Sequence, residues 1–76
     1  MPPLPVVSGK VALAAFERLG WNYKRRESSH MMLSKPGFFG VLSIPDDREL
    51  KPGTLRGLLR TAGISIDEFV RALEES

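Results

Sequence analysis

One stretch of the sequence holds the residue types that could transfer a proton beside a phosphate group. It contains three consecutive cations, two hydroxyls and the only histidine in the chain: Lys24, Arg25, Arg26, Ser28, Ser29 and His30. Histidine gives and takes a proton near neutral pH, and arginine and lysine bind phosphate. The stretch therefore suggests proton transfer beside a phosphodiester, although a surface histidine beside a solvated charge run explains the same residues more simply.

RNA cleavage requires groups of this kind. A base must take the proton of the 2′-hydroxyl, an acid must protonate the leaving oxygen, and histidine fits either role. The charge on the phosphate must also be stabilised, and Lys24, Arg25, Arg26 or Arg56 could do so. One histidine supplies only half of the acid–base pair. The other half could be a lysine, a carboxylate or water.

The composition excludes several classes of site. At 76 residues with 42% hydrophobic content, the chain is expected to form one small globular domain, residues 1–76, with an extended, proline-rich segment at residues 1–7. The sequence has no cysteine and one histidine, which excludes disulfides, thiolate metal sites and histidine-rich zinc sites. We therefore expect no metal, no small-molecule cofactor and metal-independent cleavage.

The charge distribution and the absence of long apolar runs bear on partners and location. Residues 1–63 carry ten Lys or Arg and five Asp or Glu, whereas residues 64–76 carry one and four. A basic body is compatible with a polyanionic partner. Residues 1–7 are too short and too proline-rich for a signal peptide, and no apolar run is long enough to span a membrane. A cytoplasmic protein without membrane contact is expected.

Apolar periodicity and capping residues predict the element order helix, three strands, helix, short helix. Ser8, Gly20, Gly63 and Ser65 are expected to cap the helices. The predicted helices are residues 8–19, 52–62 and 66–73, and the predicted strands are residues 21–26, 30–35 and 38–44.

Strand alternation predicts the direction of the histidine. It places His30, Met32 and Ser34 on one face of the sheet and Met31 and Leu33 on the other. Helices over the Met31 face leave the histidine on the open face. A polar turn at residues 27–29 and a two-residue turn at Pro36-Gly37 are expected to make the three strands antiparallel. This is an α+β layout of the double-stranded-RNA-binding-domain type.

The second helix carries further cations. Lys51 precedes it, and Arg56 and Arg60 share one of its sides, an arrangement that could read the shape of RNA. Gly57 costs this helix about 1 kcal/mol relative to alanine, and it could permit either close packing or close approach of a ligand. The carboxylates at Asp46, Asp47 and Glu49 fit a solvated loop better than a catalytic role.

The sequence resembles the HicA (YcfA-type) toxin family over nearly all of residues 8–69. Ser29-His30 is similar to the Gly-Ser-His signature of the family, and Gly53-Thr54-Leu55-Arg56 followed by Ala62-Gly63-Ile64-Ser65 is similar to its more specific downstream segment. The resemblance implies an mRNA-cleaving ribonuclease that is inhibited by a HicB-type antitoxin, which binds the toxin and covers its catalytic histidine. His30 matches that histidine.

Two positions depart from the family pattern. Ser28 stands where the family usually has glycine, which bears on the geometry of the turn before His30. Asp47 stands where many members carry a second histidine. Two other function classes fit the residues: an RNA-binding module that cleaves nothing, and a DNA-binding regulator. His30 discriminates between cleavage and binding, because a pure binder does not need it.

Overall fold

The structure, a computed structural model, describes residues 3–75. Met1 and Pro2, part of the predicted extended segment, lie outside the described residues. Three helices and three strands succeed one another in the predicted order: α1 (Gly9–Arg18), β1 (Asn22–Glu27), β2 (His30–Ser34), β3 (Leu42–Pro45), α2 (Pro52–Ala62) and α3 (Ile66–Glu74).

Each helix ends or begins at the residue whose chemistry predicts it. The hydroxyl of Ser8 accepts a hydrogen bond of 3.1 Å from the amide of Val11 at the start of α1. Ser65 and Glu68 form a reciprocal capping box at the start of α3, with both bonds 3.0 Å long. Gly63 ends α2 with φ +71°, a left-handed conformation that favours glycine.

The sheet is antiparallel, with the strand order β1-β2-β3. The three helices cover one of its faces, and the core lies between the two layers. The largest fully buried side chains come from both layers: Phe16, Phe69, Leu33, Leu42, Ile44 and Leu55. Phe16 of α1 and Phe69 of α3 meet with ring centroids 5.5 Å apart. The α+β fold of the double-stranded-RNA-binding-domain type is therefore confirmed.

The connection between β2 and β3 differs from the prediction. The predicted strand over residues 38–44 is wrong at its start, because β3 begins at Leu42. The predicted turn at Pro36-Gly37 does form, and the amide of Phe38 donates a 3.0 Å hydrogen bond to the carbonyl of Lys35 across it. It does not join the two strands directly, because residues 35–41 lie outside both of them. Gly37 and Gly40 adopt φ +86° and +95°, which breaks the extended backbone twice. Phe38 lies outside the strands. Its ring packs on that of Trp21, with ring centroids 4.9 Å apart.

Trp21 is part of the hydrophobic core. Its side chain is 2% exposed, and its ring also meets that of Phe16 edge-on at 6.5 Å. The ring of Trp21 is therefore not accessible to a ligand in this conformation. Phe39, in contrast, is 99% exposed, although it is the next residue in the chain after Phe38.

The first turn of α1 approaches the end of β3 closely, and a glycine makes that approach possible. A Cβ atom on Gly9 would lie 2.0 Å from the carbonyl oxygen of Pro45, and the amide of Gly9 donates a 2.8 Å hydrogen bond to the carbonyl of Asp47. This contact holds α1 against the end of β3, where Pro45 pairs with His30.

Gly9→Ala should destabilise the protein by about 2–3 kcal/mol, because the added methyl must displace backbone atoms. The matched control is Gly57→Ala in α2, where an added Cβ meets nothing within 4 Å. That control should stabilise the fold by about 1 kcal/mol, the helix-propensity gain. Urea unfolding of both variants tests the contact, and equal stability of the two would contradict it.

Candidate functional site

His30 is the first residue of β2, and it lies on the open face of the sheet. The burial pattern of this strand alternates, with His30 exposed, Met31 and Leu33 buried, and Met32 and Ser34 intermediate. Side chains on a strand point alternately to opposite faces. The predicted orientation of the histidine is therefore confirmed, and its imidazole is open to solvent.

The turn before the histidine is strained at Ser28. Ser28 and Ser29 form a two-residue loop between the paired residues Glu27 and His30. Ser28 has φ +58°, and no other non-glycine residue in 3–75 has a positive φ. A positive φ at the first loop residue alone is typical of a type II′ hairpin, which prefers glycine there. Ser28 therefore keeps a glycine conformation at a cost of about 1–2 kcal/mol.

A bulge in β1 decides which cation shares a face with His30. The register shifts between Tyr23 and Arg25, so Lys24 is the extra residue. After the bulge Arg25 pairs with Met32, an open-face residue, and Arg26 pairs with the buried Met31. Because paired residues lie on the same face, Arg25 shares the open face with His30 and Arg26 does not.

Glu27 lies directly across from the histidine. It is the last residue of β1 and pairs with His30, so its predicted place in a turn is wrong. The Nε atom of Arg25 donates a hydrogen bond to the carboxylate of Glu27. The predicted site did not include this residue, although a two-residue hairpin loop always pairs the residues that flank it. The open face thus carries the guanidinium of Arg25 and the carboxylate of Glu27 on β1, with the imidazole of His30 across from Glu27 on β2.

Arg26 is engaged on the side of the helices. Its Nη1 atom donates a 2.7 Å hydrogen bond to Oδ2 of Asp46, whose side chain is 16% exposed. This bond, helped by the positive charges of Lys10 and Arg26, holds the pKa of Asp46 below its ordinary value of 3.8, against an opposing effect of desolvation. The amide of Asp46 also donates a 2.8 Å hydrogen bond to the carbonyl of Ser29. These two bonds tie the hairpin to the segment after β3.

The remaining predicted cations divide between two surfaces. Lys24 is exposed in β1 and forms no ion pair with any of residues 3–75. Arg56 and Arg60 are exposed on α2, and Lys51 is the exposed residue before it. Since α2 belongs to the helix layer, a ligand that contacts both sets must extend from the open face around to the helices.

The space around Gly57 bears on whether this glycine permits close packing within the chain or close approach of a ligand. An added Cβ there would meet nothing within 4 Å, so close packing inside the chain does not require this glycine. Asp47 and Glu49 are exposed, as expected for a solvated loop. Among residues 3–75, no three His, Asp or Glu side chains are grouped as a metal site would require.

A family model for the HicA toxin of bacterial toxin–antitoxin systems matches residues 9–64, which is more than half of the chain. The chain belongs to the HicA toxin family. It is thus the toxin of a toxin–antitoxin system, and membership of the family implies an antitoxin partner. No curated protein matches the sequence.

The matched span contains the whole open-face site and ends before α3. Phe69 of α3 is nevertheless completely buried, so this HicA chain completes its core with residues beyond the match. None of the helices in residues 3–75 combines the length and the apolarity needed to cross a membrane.

Ser28→Gly should stabilise the fold by about 1 kcal/mol, because relief of the left-handed strain exceeds the entropy cost of glycine in the unfolded chain. The melting temperature should rise by about 4–8 °C. Ser29→Gly is the matched control, since the φ of Ser29 is not positive, and it should bring no gain. Equal melting temperatures for the two variants would argue against a strained Ser28.

Asp46→Asn should lower stability at neutral pH and leave it unchanged in strong acid. A carboxylate whose pKa is lowered in the folded state adds stability above its ordinary value of 3.8, and that stability is lost as the pH falls through the folded pKa. Urea unfolding of wild type and variant between pH 7 and about pH 2 measures the difference. Asp47→Asn, a change on the exposed neighbouring residue, is the control. A wild type–variant gap that persists in acid would contradict the ion pair with Arg26.

Proposed function

We propose that this HicA toxin is a metal-independent endoribonuclease that cleaves mRNA and thereby blocks translation, with His30 as its acid–base group. The observation that carries the proposal is the position of the only histidine of the chain. It is exposed on the open face of the sheet, on the same face as Arg25. A histidine held in the open beside a cation has no structural task in the core.

The proposed reaction is an attack by the 2′-hydroxyl on the adjacent phosphorus. His30 in its neutral form takes the hydroxyl proton as the bond between the 2′-oxygen and phosphorus forms. The bond from phosphorus to the 5′-oxygen breaks, which leaves a 2′,3′-cyclic phosphate, and the leaving oxygen takes a proton from a second group: a lysine, a protonated carboxyl group or water. Proton transfer by a positioned group contributes about 10²–10⁴-fold to such a rate.

Arg25 is the cation best placed to hold the phosphate. Its ion pair with Glu27 is exposed, with side-chain exposures of 55% and 52%, and such pairs contribute about 0–1 kcal/mol. A phosphate can therefore replace the carboxylate at modest cost. Lys24 has no competing pair among the described residues, whereas Arg26 must first give up Asp46.

The hydroxyls and the helical cations extend the proposed RNA contact. Ser28 and Ser29 are exposed in the turn that adjoins His30, where their hydroxyls can donate hydrogen bonds to phosphate oxygens. Lys51, Arg56 and Arg60 would add sequence-independent attraction for the RNA backbone. The runner-up function is RNA binding without cleavage, which the single imidazole favours because cleavage needs both an acid and a base.

His30→Ala should lower the rate of RNA cleavage by at least ~10²-fold, because the proton-transfer group is lost. Stability should change by no more than about 0.5 kcal/mol, since the side chain is exposed. The measurement is cleavage of a defined RNA by purified protein, with chelator present, alongside an RNA-binding titration. Asn22→Ala, on the open face at the far end of β1, is the matched control and should cleave normally.

Two outcomes would contradict the assignment of His30. Equal cleavage by wild type and His30→Ala would remove the histidine from the reaction. Binding by both proteins without cleavage by either would favour the runner-up function, an RNA-binding module.

We also propose that the antitoxin partner is of the HicB type and inhibits by covering His30. Because the chain has one histidine, a histidine-selective acylating reagent reports on that position alone. Addition of the cognate antitoxin should slow the modification of His30 in proportion to the complex formed. A tight complex in which His30 reacts as fast as in the free toxin would contradict inhibition by direct cover.

A further inference from the structure

The site already described contains a residue with no assigned role. Glu27 is exposed on the open face, and its backbone pairs with that of His30 at the closed end of the hairpin. Directly paired residues in antiparallel strands have their Cβ atoms about 4.5–5.5 Å apart. A glutamate side chain spans that distance, so its carboxylate can reach the imidazole ring.

No other carboxylate on the described strands is in a comparable position. The open-face positions of β1, β2 and β3, as the register assigns them, are otherwise neutral or cationic: Asn22, Arg25, His30, Met32, Ser34, Ser43 and Pro45. Asp46 is the next residue in the chain after Pro45, but its carboxylate is held by Arg26 on the helix side. Glu27 is therefore the carboxylate that the fold presents to His30.

In the free protein the carboxylate of Glu27 is engaged by Arg25. Both side chains are more than half exposed, so the pair is weak and exchangeable. An RNA phosphate bound by Arg25 would take over the guanidinium and leave the carboxylate without its partner. The hydrogen-bond donor that faces the Glu27 carboxylate from the neighbouring strand is then the ring N–H of His30.

We propose that Glu27 is the positioning residue for His30. Its carboxylate accepts the N–H of one ring nitrogen, which orients the other nitrogen toward the 2′-hydroxyl and stabilises the imidazolium that forms when His30 takes the proton. The proton moves from the hydroxyl to the ring, and none is transferred to Glu27. This inference rests on the proposed ribonuclease function. In it, Glu27 is the group that makes His30 a more effective proton acceptor.

A purely structural role for Glu27 leads to the opposite expectation. If the carboxylate served only to hold Arg25, its removal would free a guanidinium for phosphate and cleavage would rise. If Glu27 positions His30, its removal lowers the rate of the chemical step even though Arg25 is freed. The sign of the change in kcat therefore separates the two roles.

The experiment compares kcat and KM for cleavage of a defined RNA by the full chain and three variants. Glu27→Gln should lower kcat at least ~10-fold, a modest part of the loss caused by removal of a histidine-orienting carboxylate in other enzymes. KM should stay the same or fall, because a negative charge is removed from an RNA-binding surface. Glu27→Asp, which keeps the carboxylate, should recover most of kcat.

Glu17→Gln is the matched control. It makes the same change in net charge at an exposed position on α1, and it should leave kcat unchanged. A kcat for Glu27→Gln equal to or above that of wild type would overturn the positioning role and leave the ribonuclease function intact. An equal fall in Glu17→Gln would also overturn it. Absence of cleavage by wild type would overturn both proposals.

Discussion

Burial of one face of the sheet is the constraint on which the rest of the structure depends. Met31 and Leu33 of β2 and Ile44 of β3 are buried against the helices. A shift of one residue in the pairing would turn these side chains to solvent and His30 into the core. The hydrophobic effect, at roughly 25 cal/mol per Å² of apolar surface, therefore fixes the direction of a histidine that contributes nothing to the core.

Two local irregularities then select the neighbours of that histidine. The bulge at Lys24 reverses the faces of the residues after it, so that Arg25 joins the open face and Arg26 turns to Asp46. The tight turn at Ser28 closes the hairpin with Glu27 opposite His30. Bulges and strained turns are common where a side chain must be directed. Here they give three consecutive cations different surroundings: Lys24 is the extra residue of the bulge, Arg25 pairs with Glu27 and Arg26 pairs with Asp46.

Apolar periodicity and capping chemistry were enough to predict the helix caps, the order of the elements and the open-face position of His30. Prediction failed where one extra residue in a strand reverses which face of the sheet the following side chains occupy. The bulge at Lys24 was not predictable, because nothing in six consecutive polar residues favours one register over the next. Phe38 was placed in a strand because it follows the Pro36-Gly37 turn, whereas in the structure it lies outside β3 and packs on Trp21. The pairing of Glu27 with His30 was missed because the turn was predicted over residues 27–29, whereas the loop consists of Ser28 and Ser29 alone.

In the proposed reaction, the open face of this HicA toxin brings His30 to the 2′-hydroxyl of RNA. The most direct test is cleavage of two RNAs that differ only by a 2′-deoxyribose at the cleaved position, with analysis of the product ends. We expect the all-ribose RNA to be cut to give a 2′,3′-cyclic phosphate and a 5′-hydroxyl, and the substituted RNA to stay intact at that position. Cleavage of the substituted RNA there, or of neither RNA, would contradict the claim.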